Sequence, residues 1–386
     1  MMALYLLGMT MLLSPPKGVE PGCAVRFATF NIRELSSEKL NQVDSAGQGT
    51  CVQLRKAAEI IQRVRADVLL INEIDFDFET RRNAKLFAER YLQVSQNGQE
   101  PVDYGHVFFE PVNTGVPTGR DLDNDGKTDG PADAYGYGRY PGQYGMALYS
   151  RFPIDAKKAR TFARFLWKDL PDHQMPDGRN GKPAWYSPEE VAILRLSSKS
   201  HWDVPVRIGE TTVHVLCAHP TPPVFDGPED RNGRRTFDEI RLLADMIRGG
   251  APASYLIDDQ SRAGGLPAEA PFVVLGDMNA DPVKDEALYG QPAIRQLLQL
   301  DRIQDPAPTH RGTPPPPPAE GSPWSNQKTC EFGRIDYVLP SIELKVTDAG
   351  VFWPAKNDPL WQLVTEPDAS SDHRLVWVDL IIPPTR

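Results

Sequence analysis

The stretch from Pro271 to Pro282, P-F-V-V-L-G-D-M-N-A-D-P, limits the folds open to this chain more than any other segment. Its apolar run from Phe272 to Leu275, with β-branched Val273 and Val274 side by side, reads as a buried strand. Gly276 then frees the backbone for a sharp turn, and Asp277 and Asn279 are left at the strand end. Strand side chains alternate, so these two project to the same side if extended geometry persists past the glycine. That pairing suits a carboxylate that handles a water and an amide that orients it. An Asx turn that merely closes a core strand is the competing reading.

Other apolar segments end in the same way. Val25 to Phe30 stops at Asn31, with Arg33 and Glu34 just beyond, and Asp67 to Ile71 delivers Asn72 and Glu73. Thr211 to Cys217 runs into Ala218-His219-Pro220, Arg334 to Leu339 contains Asp336, and His373 to Ile381 begins beside Asp372. Further strand patterns cover Tyr104 to Phe109, Gly145 to Tyr149, Val191 to Leu196, Val204 to Ile208 and Leu344 to Phe352. Helical spacing recurs over Gln53 to Arg65, Arg81 to Val94, Gly233 to Arg248 and Ala293 to Leu300, the third of these stopped by Gly249-Gly250. A chain of 386 residues allows roughly two to three domains or one large sandwich. Strands and helices interleave to the end without a fixed repeat, which favours a single domain over residues 23–386.

A formal net charge of -10 and a pI near 5.3 argue against holding nucleic acid on a broad basic face. A nuclease that reaches its substrate through a few arginines and a metal is still allowed. Residues 1–22 hold an apolar run, Met2 to Leu13, too short to span a bilayer and followed by Ser14-Pro15-Pro16. It reads as a secretory signal segment, although no Lys or Arg precedes it and no A-x-A site follows, with a buried N-terminal element as the alternative. The protein is therefore expected to be secreted or periplasmic and a monomer with no transmembrane domain. The four cysteines, Cys23, Cys51, Cys217 and Cys330, lack metal-ligand spacing. In an exported chain Cys23 and Cys51 are the preferred pair, and Cys217 within its strand is a buried thiol.

Residues 111–143 form a long polar, glycine-rich insertion, and Ala307 to Pro323 with its proline run is a stiff exposed loop. Within the insertion, Asp121, Asp123, Asp125 and Asp129 with Gly126 match the first half of an EF-hand-type calcium loop. The second half departs, because Ala132 stands where the bidentate acid belongs and Asp133 comes one residue late. A calcium site completed by Asp133 or by a carbonyl stands against a merely solvated acidic loop.

Asn31, Glu73, His219, Asp277, Asn279, Asp336, Asp372 and His373 thus all terminate apolar strands. If those ends converge on one edge of a sandwich, they supply hard oxygen ligands for Mg2+ or Mn2+, two imidazoles and a carboxylate with an amide beside it. Such a set suits phosphoryl transfer.

The ordered series F-N-I, I-N-E-I, G-M-A-L-Y-S-R, A-H-P, G-D-M-N, R-I-D-Y and S-S-D-H resembles the endonuclease/exonuclease/phosphatase superfamily, over nearly the whole chain. The resemblance implies a DNase I-like α/β fold, a four-layer α-β-β-α sandwich with the site at one edge. It also implies roles: Glu73 as metal-binding glutamate with Asn31 beside it, Asp277 positioning or deprotonating the attacking water, and Asn279 supporting it. His219 and His373 would contact the phosphoryl group, Asp336 would orient His373, and Asp372 would lie near the metal. Many members carry a tyrosine or arginine just before the strand that ends in Ser-Arg; here Gln143 and Tyr144 compete for that place, and Tyr144 is preferred. Arg231, Arg234 and Arg235, at or before a helix start, suit a second anionic group, or else pair with Glu229, Asp230 and Asp238 on the surface. The expected activity is that of a secreted metal-dependent phosphodiesterase or nuclease acting on a phosphate ester, DNA or RNA included, without a stable nucleic-acid complex. A phosphomonoesterase on sugar, inositol or lipid phosphates, and an inactive calcium-binding extracellular module, are the alternatives.

Overall fold

The computed structural model describes residues 24–176, 184–283, 290–310, 326–365 and 369–384. The segment 1–22, Cys23 and its pairing, and most of the proline-rich loop lie outside the described residues.

The central strand foreseen at Phe272 forms as β8 (Phe272–Asp277), and its alternation sorts the molecule into layers. Val273 and Leu275 join the apolar cluster between two sheets, whereas Phe272 and Val274 face a second cluster under a helix. Around β8 lies a five-stranded sheet in the order β5 (Arg160–Thr161), β6 (His201–Ile208), β7 (Thr211–Ala218), β8 and β9 (Asp336–Pro340). The other sheet has six strands, in the order β10 (Lys345–Val351), β11 (Val376–Ile381), β1 (Ala24–Leu35), β2 (Val68–Ile74), β4 (Gly145–Ser150) and β3 (His106–Phe108). Both sheets are mixed: β1 pairs parallel with β2 and β7 with β8, and the remaining pairs are antiparallel. The first and last strands pair, with Ala24 on β1 opposite Ile381 on β11.

Helix α1 (Val52–Val64) packs Leu54, Ala57, Ala58 and Ile61 onto the six-stranded sheet. A second helical segment, α2 (Asn83–Phe87), continues into a π-helical turn at Ala88–Leu92 and so accounts for most of the span expected to Val94. On the far side, α3 (Arg231–Arg248) lays Ile240, Leu243 and Ile247 against the five-stranded sheet. Two sheets face to face with helices outside give the four-layer α-β-β-α sandwich.

One expected strand is absent. Val191–Leu196 is not extended: Ser187 and Glu190 make a capping box with Pro188 at the first helical position, which starts a short helix, Pro188–Val191. That start signal outweighs the β-branched content of the next residues, and Leu194 and Leu196 enter the helix-side core from turns. Cys51, Cys217 and Cys330 are buried free thiols. No helix of the described residues is long and apolar enough to cross a membrane.

Candidate active site

The strand ends do converge. Asp277, at the end of β8, keeps the face set by Val273 and Leu275 and therefore points between the sheets. There its Oδ2 accepts a hydrogen bond from Asn31 Nδ2 of β1 at 3.0 Å, and the same amide donates to Glu73 Oε1 of β2 at 3.2 Å. Asn72 adds a second tie across the sheets, its Oδ1 accepting from the Asp277 N–H at 3.3 Å. Gly276 makes this approach possible, with φ at 152° and the Ala218 carbonyl oxygen 2.0 Å from where a Cβ would stand. No side chain fits there.

Beyond the glycine the extended geometry does not persist. Asn279 is left-handed (φ 49°), and its N–H donates to Asp277 Oδ1 at 2.9 Å, which is the Asx turn. The turn still serves the site, because Asn279 Nδ2 donates to the Pro220 carbonyl at 3.1 Å and fastens the His219 loop beside Asp277. Glu73 (φ 69°), Tyr144 (φ 58°) and Glu34 (φ 47°) are also left-handed, an unfavourable backbone state for such residues that concentrates where the surroundings over-determine it.

His219 and His373 approach the same carboxylate oxygen, their Nε2 atoms 3.6 and 3.8 Å from Asp277 Oδ2. Their states differ. Burial, then the charges of Lys199 and His373, push His219 well below the ordinary histidine value, so it is neutral. Burial also opposes charge on His373, but Asp336, whose Oδ2 is 2.9 Å from His373 Nδ1, and Asp277 outweigh it and hold the imidazole well above that value. With Nδ1–H committed to Asp336, His373 has Nε2–H to offer. Burial raises Asp277 too, with Asp336 adding to the rise while His373 and two hydrogen bonds oppose it.

A group of Asp277, Asp336 and His373 has donor atoms close enough to share a cation. Their hydrogen bonding describes an imidazole oriented by a carboxylate instead, since His373 Nδ1 is taken by Asp336. The better cation position is Glu73 with Asn31. Glu73 is driven up by burial, against hydrogen bonds from the Glu34 N–H and Asn31 and the charge of His373, and a bound cation would reverse that. Asn31 Oδ1 is buried without a hydrogen-bond partner, an oxygen available to a hard metal. Asp372 is 39% exposed beside Arg33, close enough to raise Glu73 electrostatically. Glu73 and Asn31 thus fit a divalent ion bound through few protein oxygens, as Mg2+ commonly is.

Tyr144 and Gln143 part company. The Tyr144 hydroxyl lies 3.4 Å from Glu34 Oε1, and burial followed by Glu34 and Glu73 pushes it up to about 12. Gln143 instead turns its Oε1 to the Arg139 N–H within its own loop. The three arginines divide between the surface-pairing reading and a third arrangement. Arg235 spends its guanidinium on the carbonyls of Leu196, Tyr135 and Arg195, because three elements meet around it and leave main-chain oxygens to satisfy. Arg231 pairs with Glu229 and lies over the Trp185 ring, and Arg234 Nε donates to the Glu229 carbonyl at 3.1 Å. In the insertion, Asp121, Asp123 and Asp133 bring carboxylate oxygens within 4.8 Å of one another, so the late acid joins the early pair. Asp125 and Asp129 are not in that group; Asp125 accepts from the Lys127 N–H.

Two residues at the site went unnoticed in the sequence. Ser371 accepts from the N–H groups of Arg33 and His373 and donates to the Asn31 carbonyl at 2.7 Å, which locks the end of β1 to the His373 loop. Lys199 is only 5% exposed, and burial lowers it while Glu239, Asp277 and Glu73 oppose the fall. The signal available was a lysine just before the apolar β6 pattern, where a buried cation needs a carboxylate cluster nearby.

Residues 28–373 match the model of the Endonuclease/Exonuclease/phosphatase family. No curated protein sequence matches the chain. Among solved structures, an endonuclease/exonuclease/phosphatase from Beutenbergia cavernae is similar at 17% identity, over 94% of this chain and 72% of that one, with a TM-score of 0.49. The human Nocturnin catalytic domain with bound sulfate matches at 15% identity over 93% and 94% (TM-score 0.43). A mannosyl-6-phosphatase from Bacteroides thetaiotaomicron matches at 12% identity over 93% and 100% (TM-score 0.44). Likeness at that level says nothing of substrate.

Proposed function

Because the chain belongs to the endonuclease/exonuclease/phosphatase family, whose members are metal-dependent phosphoric ester hydrolases, we propose that it cleaves a phosphodiester by in-line attack of water at the edge where β1, β2 and β8 end and β9 begins. One observation carries this reading: Asn31 bridges Glu73 and Asp277 across the two sheets, which puts a metal-type carboxylate and a water-handling carboxylate on either side of one amide. Asp277 orients the water and takes its proton. His373, cationic, donates from Nε2 to a non-bridging oxygen, and neutral His219 and Asn279 complete the polar surround. Asp336 keeps His373 charged and Tyr144 borders Glu73. A divalent ion, Mg2+ or Mn2+, held at Glu73 and Asn31 supplies Lewis-acid stabilisation of charge on the phosphoryl oxygens.

A phosphomonoesterase is the second reading, favoured by the two buried cations Lys199 and His373, which suit a dianionic group. Hydrolysis of plasmid DNA, an aryl phosphodiester and its monoester with Mg2+, Mn2+, Ca2+ or chelator, beside Asp277→Ala, separates the readings. Metal-dependent cleavage of a diester, with a loss of about a hundredfold in Asp277→Ala, is the expected result. Monoester cleavage alone selects the second reading, and activity untouched in Asp277→Ala defeats the mechanism. We also propose export, from the apolar run at residues 2–13, with N-terminal sequencing of the periplasmic or secreted protein as its test. Calcium in the insertion, held by Asp121, Asp123 and Asp133, is tested by calorimetric titration against Asp121→Asn.

A further inference from the structure

Helix α3 reaches the site loops from the outer layer: Thr236 Oγ1 donates to the Thr221 carbonyl and Arg235 to those of Arg195 and Leu196, while Glu239 holds both loops at once. Glu239 is fully buried, and its two oxygens each accept a main-chain N–H, Oε1 from Ser198 at 2.7 Å and Oε2 from Thr221 at 2.6 Å. Those donors belong to two separate loops. Ser198 immediately precedes Lys199, and Thr221 comes two residues after His219. Between them the Pro220 carbonyl accepts from Asn279 Nδ2 at 3.1 Å and from Lys199 Nζ at 3.3 Å. The Glu239 carboxylate thus joins the loops that carry Lys199 and His219, and the Pro220 carbonyl extends the link to Asn279.

A neutral acceptor would tie two loops with less desolvation than a carboxylate buried in this way. What the charge adds is its neighbours, since Glu239 favours the charged forms of Lys199 and Arg235. The adjacent Asp238 is the natural contrast. It is just as buried and also accepts two hydrogen bonds, from Trp167 Nε1 and the Gln174 N–H, both at 2.6 Å, but these partners belong to the far side of α3.

Resting on the phosphohydrolase reading of the site, we infer that Glu239 is a positioning residue for hydrolysis: it holds the Lys199 and His219 loops in register so that ammonium, imidazole and the Asn279 amide meet one phosphoryl group. Glutamine in its place offers one acceptor oxygen and turns an NH2 toward the other N–H, so position 239 can no longer hold both loops in register.

The test compares Glu239→Gln with Asp238→Asn in the full chain. Folding is followed by circular dichroism and melting, hydrolysis of bis(4-nitrophenyl) phosphate by kcat and KM, and the His219 imidazole by its NMR resonances, assigned with His219→Gln. Both variants are expected to melt at similarly reduced temperatures. Glu239→Gln should lose at least about tenfold more kcat than Asp238→Asn, as expected when reacting groups are displaced by a fraction of an ångström. Its His219 resonances should move, and those of Asp238→Asn should not. Equal kcat in the two variants, or an unmoved His219 signal in Glu239→Gln, overturns the inference. Should Glu239→Gln not fold, Glu239→Asp against Asp238→Glu decides by the same criteria. A wild-type protein that cleaves no diester or monoester defeats the hydrolase reading by itself, and the His219 resonances then decide whether Glu239 holds that loop.

Discussion

Replacing Asp336 with asparagine isolates the electrostatic part of the site. In the native protein the Asp336 Oδ2 to His373 Nδ1 bond is 2.9 Å long, inside a region where burial alone would drive the imidazole neutral. A hydrogen bond to a charged partner contributes about 1.5–3 kcal/mol, which corresponds to roughly one to two pKa units. Asp336→Asn keeps the shape and an acceptor oxygen but removes the charge. The basic limb of the kcat/KM profile for an aryl phosphodiester, measured from pH 5 to 10 with saturating Mg2+, should therefore move to lower pH by about that amount. Stability has its own sign. The folded-state value of His373 is raised, so its contribution is complete below the ordinary histidine range and fades as pH climbs through the folded value. The gap in unfolding free energy between wild type and variant should be widest below the ordinary histidine range and narrow as pH rises through the raised folded-state value of His373. A basic limb that stays in place, while activity falls equally at every pH, would refute the claim that Asp336 acts through the charge of His373.

The remaining predictions each probe one other piece. Glu73→Gln removes the carboxylate charge that faces Asn31 on β2 and should raise the Mg2+ concentration for half-maximal activity at least about tenfold, read from metal titrations. Lys199→Met, similar in length but neutral, should lower kcat/KM by about ten- to a hundredfold if the ammonium faces a developing phosphoryl charge, and steady-state kinetics on the diester reads this directly. Gly276→Ala places a methyl 2.0 Å from the Ala218 carbonyl and should lower the melting temperature by several degrees, equivalent to about 2 kcal/mol or more; a neutral effect would contradict the backbone path given to β8.

Much of this arrangement was legible because a β-strand declares its faces. From Phe272 to Leu275 the alternation assigned two cores, and Asp277 inherited the inner face from Val273 and Leu275. Asn31 and Glu73 were marked by their place at the ends of the apolar runs of β1 and β2, and their roles came from the family resemblance. The use of Arg235 rests on something the sequence does not carry: which carbonyls lack partners is settled only when the segment before β6, the insertion and the helix meet, and its guanidinium is consumed there. Lys199 and Glu239 escaped for a related reason. They lie 40 residues apart, and neither has a local pattern that marks it as buried.

At Asn279 the competing reading, the Asx turn, is the one that forms, and the reason is instructive. Counting by two placed Asn279 beside Asp277 on an extended chain, yet the chain turns left-handed there, as it does at Glu73, Glu34 and Tyr144. Those four lie against the same edge, and at each the backbone bears an unfavourable conformation that alternation cannot foresee. The cost has a common purpose. A regular strand end points successive side chains to opposite faces, so it cannot aim several polar groups from neighbouring strands at one point. A left-handed residue at the strand end breaks the alternation and turns the next groups inward: Glu73 reaches the Glu34 N–H, and Asn279 reaches Pro220. Periodicity could therefore find the strands that carry the site, but the convergence of their ends depends on the residues where periodicity stops.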